Sequence, residues 1–242
     1  MAVRRMGGVP ILATLALVAV GLWAAAPAGA AGKKTCWVKN TTLAKSYGSA
    51  AGSVLQDAID KAGSGNNLEV RGLCIGNFTI DKSLTLVGVA KNGYPVAQLD
   101  GNQTGSVLSV YSSVTVTDLT ITNGDTGTDG GGIFNDDGGT LTMNGSSSVS
   151  GNTAGDDGGG IYNAGTLTMS DSSSVSGNTA SVDGGGIFNS GILTMNDSST
   201  VSGNTSGNDG GGIFSCGALV GASDASGGNV YDNDPNNIST CT

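Results

Sequence analysis

Two series of side chains in this sequence recur at intervals that could do chemistry. Asp129, Asp157, Asp183 and Asp209 each stand directly before a glycine triplet, the last three spaced by 26 residues. Stacked in register about 5 Å apart, like charges would repel. They can be relieved by N–H groups of their own turns, in the Asx manner. The alternative is calcium held between successive turns of the chain. The first is the expectation, because the glycine-rich nonapeptide of calcium-binding repeats is not matched. Phe134, Tyr162, Phe188 and Phe214 form the second series, one residue after the recurring isoleucines Ile133, Ile161, Ile187 and Ile213. Rings in such a column can present a strip to sugar rings, or can pack on one another and stiffen the stack. Bases are scarce: the chain has no histidine, and no lysine or arginine follows Lys91.

The elements that must carry these residues are short strands. Thr166-Leu167-Thr168-Met169 alternates, with Leu and Met on one side. Ser174-Val175-Ser176 and Gly186-Ile187-Phe188-Asn189 do the same, and Asp-Ser-Ser, Gly-Asn-Thr and Asp-Gly-Gly-Gly turns separate them. Leu141, Leu167, Leu193 and Leu219 keep the same spacing, as do Val149, Val175 and Val201. Three strands and three turns per 26-residue unit cannot bury a face alone, but stacked units can. The pattern therefore predicts an all-β parallel β-helix over residues 66–234, with three strands per coil. Asn152, Asn178 and Asn204 read as a structural ladder along its axis.

Residues 1–30 have the form of a secretion signal: Arg4 and Arg5, an apolar stretch, then Ala28-Gly29-Ala30. Its removal would leave no integral membrane segment and an exported chain. Losing two arginines would also take the formal charge from −9 to −11. Such a chain is poorly suited to nucleic acid, which needs a positive stripe. In residues 31–65, Val54, Leu55, Ala58, Ile59 and Ala62 share one helical face, with Ser53 as N-cap. That predicts an amphipathic helix closing the first coil. Residues 235–242 read as a tail. Cys36, Cys74, Cys216 and Cys241 point to two disulfides in an exported chain. Stacking places the two pairs at opposite ends, so Cys36–Cys74 and Cys216–Cys241 are expected.

The run of Ser53-Val54-Leu55-Gln56-Asp57-Ala58-Ile59-Asp60, Phe78-Thr79-Ile80 and repeated Gly-Gly-Gly-Ile-(Phe/Tyr)-Asn resembles bacterial secreted right-handed parallel β-helix proteins. These belong to the pectin-lyase-like superfamily, and the Gly-Gly-Gly-Ile and Phe-Asn elements are similar to polymorphic outer-membrane protein repeats. The resemblance implies a right-handed parallel β-helix at the cell surface or outside the cell. It leaves activity open, because one fold hosts lyases, hydrolases and adhesins. The expected function is a non-catalytic interaction or adhesion module with a carbohydrate or surface-protein partner and no cofactor. Its candidate contact residues are Phe134, Tyr162, Phe188 and Phe214. The alternative is a polysaccharide lyase or hydrolase, for which Arg71 and Lys82 are the candidate bases.

Overall fold

The computed structural model describes residues 36–49, 54–91, 94, 97–224 and 229–241. The signal sequence and Ser53 lie outside these. The described chain is a parallel β-helix of about 6 turns. Inward residues recur coil by coil. On the first face Leu84, Val114, Leu141, Leu167, Leu193 and Leu219 stand in register. On the second, Cys74, Leu99, Ile121, Val149, Val175, Val201 and Val230 do. On the third, Phe78, Leu108, Ile133, Ile161, Ile187, Ile213 and Ile238 do. Most of these side chains are wholly buried, and each buried aliphatic contributes about 1.5–3 kcal/mol. The first two faces join through the strand Asn66–Ile75, which turns at Gly72 with φ +75.

The coil has one strand more than the alternation predicts. Asp125–Thr126, Thr153–Ala154, Thr179–Ala180 and Thr205–Ser206 form a narrow fourth face of their own. Two residues are too short to show alternation, so Gly-Asn-Thr reads as a turn in sequence. The solenoid also runs past residue 234. Ile238–Thr240 pairs in parallel with Ile213–Ser215, and Cys241 is bonded to Cys216.

Buried polar side chains are organised in ladders. Asn152 donates from both its backbone N and Nδ2 to Asn178 Oδ1, Asn178 repeats this to Asn204, and Asn204 to Asn233. A second ladder escapes the sequence reading: Asn135 Nδ2 donates to Asn163 Oδ1 at 2.6 Å, Asn163 to Asn189 at 2.7 Å and Asn189 to Ser215 Oγ at 2.9 Å. Asn135 Oδ1 is left buried without a partner, since Val110 holds the register position before it.

The N-terminal end is closed by more than the expected helix. Val54–Asp60 buries Val54, Leu55, Ala58 and Ile59. Its Gln56 exchanges hydrogen bonds with the backbone N and O of Thr79, pairing the free edge of Phe78–Ile80. An antiparallel hairpin, Cys36–Asn40 with Lys45–Ser49, lies against Asn66–Ile75. Disulfide Cys36–Cys74 ties it down with Cα atoms 4.7 Å apart. Edge strands covered in this way cannot template pairing with another chain.

Candidate functional site

The aspartate column is real, but its relief differs from the Asx expectation. The N–H of Asp157 donates to Asp129 Oδ1 at 3.1 Å, that of Asp183 to Asp157 Oδ1 at 2.9 Å, and that of Asp209 to Asp183 Oδ1 at 3.0 Å. Asp129, Asp157 and Asp183 therefore serve the next coil's backbone rather than their own turns, while Asp209 accepts from Asn236 Nδ2 at 3.5 Å. In-register stacking at about one strand spacing puts the aspartate N–H within hydrogen-bonding reach of the carboxylate one coil before it. Partial burial, followed by the charges of Asp129, Asp183 and Asp156, raises the Asp157 carboxyl above its ordinary value, and the Asp183 N–H opposes this. Among the described residues no group of three or more acidic, cysteine or histidine side chains is placed to hold a metal ion.

Phe134, Tyr162, Phe188 and Phe214 turn outward, each half-buried, and stack face to face. Ring centroids are 5.3, 5.2 and 5.5 Å apart, with the first two pairs within 2° of parallel. Interior ring faces are consequently covered by neighbouring rings. What the column offers outward is a band of ring edges, together with the outer faces of Phe134 and Phe214. Ser109 and Ser239 occupy the register positions beyond those two rings.

A further outward column extends the threonine pairs Thr140/Thr142 and Thr166/Thr168, whose ladder reads in sequence as broken at Ile192 and Ala218. Thr85, Thr115, Thr142, Thr168 and Thr194 stand in unbroken register on the first face. The second face presents Thr120, Ser148, Ser174 and Thr200 beside Thr122, Ser150, Ser176 and Ser202. Acidic residues are confined to the corners between faces from Thr115 onward on the first face and Thr120 onward on the second. The signal was present at Thr142, Thr168 and Thr194, but Thr85 and Thr115 precede the recognisable repeat.

The candidate bases are engaged elsewhere. Arg71 pairs with Glu69 and lies over the Trp37 ring, its Cζ 4.0 Å from the centroid, so it pins the hairpin to the first coil. Lys82 reaches the carbonyl of Asp60 at 3.5 Å and the Asp81 carboxylate at 3.6 Å. Among the described residues no hydrogen bond joins Arg71 and Lys82.

Three segments of the chain, residues 146–164, 172–190 and 198–216, match the Chlamydia polymorphic membrane protein repeat. Each runs from the second face through the glycine triplet to the third, and so contains one rung of each ladder and one ring of the aromatic column, with Phe134, Asn135 and Asn233 outside the matches. No curated protein and no solved structure matches the chain significantly. Together, the solenoid and the three repeat matches make the chain a β-helix repeat protein. Among the described residues no helix is long and apolar enough to cross a membrane.

Proposed function

We propose that this β-helix is a cell-surface or extracellular interaction module that holds neutral polysaccharide along its sides without cleaving it. One observation carries the reading: uncharged columns repeat in register over successive coils, the aromatic band on one face and hydroxyls on two others. A neutral polymer lying along the rod would meet apolar ring edges and free hydroxyl groups at a regular repeat. Such contacts are individually weak and gain from being repeated on one rigid body. An acidic polymer would instead meet a chain of formal charge −9. Cleavage by proton abstraction would need a free base, and the basic candidates Arg71 and Lys82 already have acidic partners.

The test replaces Tyr162 and Phe188 by alanine together. Losing all three stacked pairs should lower stability by about 1.5–4.5 kcal/mol, less than the roughly 5–15 kcal/mol that holds a typical domain folded. Retention on immobilised neutral polysaccharide should fall at least about tenfold. Undiminished retention by the folded double variant would remove the aromatic band from the proposal.

A further inference from the structure

The corner after the second face is glycine in the later coils. Gly151, Gly177 and Gly203 follow Ser150, Ser176 and Ser202, with φ of +66, +63 and +64. One coil earlier, Asn123 takes this corner after Thr122 with φ +56. In the coil before that, Asp100 pairs in register with Thr122, and the chain continues through Asn102 at φ +51 and Gln103 at φ +56. Left-handed backbone costs free energy at any of these residues that glycine would avoid. Three such residues and Asp100 line one open cleft of about 190 Å³.

The cleft is held in shape by its own groups. Asp100 Oδ1 accepts the Asn102 N–H at 2.8 Å, and Asp100 Oδ2 accepts Asn123 Nδ2 at 2.9 Å. The Gln103 N–H donates to Asn123 O at 2.8 Å. The side-chain amides of Asn102 and Gln103, and Asn123 Oδ1, are exposed and have no protein partner among the described residues. This set mixes carbonyl acceptors and N–H donors around a fixed carboxylate, without a cation or an apolar wall. It matches adjacent hydroxyl groups, which both donate and accept. An anion would meet Asp100, and hydrocarbon would strand the amides. Pockets that enclose drug-sized ligands span roughly 300–1,000 Å³, so this cleft suits a single ring.

We propose that Asp100, Asn102, Gln103 and Asn123 form a subsite for one neutral sugar unit, presented by the polysaccharide of the function proposed above, on which this inference rests. Asn123→Gly and Gln103→Gly are the informative variants, because glycine takes this backbone conformation without strain. Calorimetric titration of the full chain with neutral gluco-, manno- and chito-oligosaccharides should show binding at least about tenfold weaker in each variant. Their melting temperatures should be equal to or above that of the unsubstituted chain. Unchanged affinity in both variants would overturn the subsite while leaving polysaccharide binding intact. If the unsubstituted chain bound neither these oligosaccharides nor any polysaccharide, the subsite and the function it rests on would fall together.

Discussion

Asp157 stands between Asp129 and Asp183 and beside Asp156, and pays for that position in its ionised form. Its folded pKa is raised, so the native state binds the proton more readily than the unfolded chain does. Stability from this group is therefore gained as pH falls through the folded pKa, and is absent at neutral pH. Asp157→Asn keeps an acceptor for the Asp183 N–H and removes the charge. It should melt higher than the unsubstituted chain at pH 7, the gap closing below the ordinary carboxylate range. A variant that melts lower at pH 7, or a gap that persists in acid, would contradict this account of the column. Spacing alone made the column legible, whereas its hydrogen bonds were not: they depend on which coil's N–H is nearest, and that is set by register. Asn135, Asn163 and Asn189 were hidden for a related reason. Each follows an outward ring on a strand, and only a closed ladder makes a buried amide affordable there.

At the scale of the element, the glycine triplet is a corner where successive coils approach too closely for a Cβ. A Cβ on Gly160 would lie 2.6 Å from Gly186 O, and one on Gly159 would lie 2.4 Å from Thr179 O. Backbone groups cannot yield as a side-chain end can, because Gly160 N–H also bonds the next triplet. Gly138, by contrast, has nothing within 4 Å of a Cβ and no left-handed φ. Gly160→Ala should cost about 3 kcal/mol, roughly 10 °C in melting temperature, while Gly138→Ala should change stability by less than about 0.5 kcal/mol. Equal melts for the two would mean that the triplets do not pack as described. Inward strands were readable, though many are only three residues long, because their alternation recurs at the same place in each coil. The hairpin was not, since Lys45–Ser49 is nearly all polar and the strand on which the hairpin docks, Asn66–Ile75, is distant in sequence. Asn102, Gln103 and Asn123 escaped too, and comparing Asn123 with Gly151, Gly177 and Gly203 is the one sequence signal that marks them.

For the whole molecule, charge is unevenly shared along the axis. Every lysine and arginine lies at or before Lys91, and the charged side chains of the later coils are all acidic. The outward hydroxyl columns of the first two faces and the aromatic column remain uncharged, and they are where the proposed function places its main contacts. Fold was legible from the repeat because a stack multiplies one pattern; activity was not, because the same repeated residues are consumed in holding the stack. The most direct measurement incubates the purified chain with neutral and acidic polysaccharides, following retention and polymer length together. The account predicts retention of a neutral polysaccharide at unchanged length, with acidic polymers left free. Shortening of any polymer, or no retention of any neutral one, would contradict it.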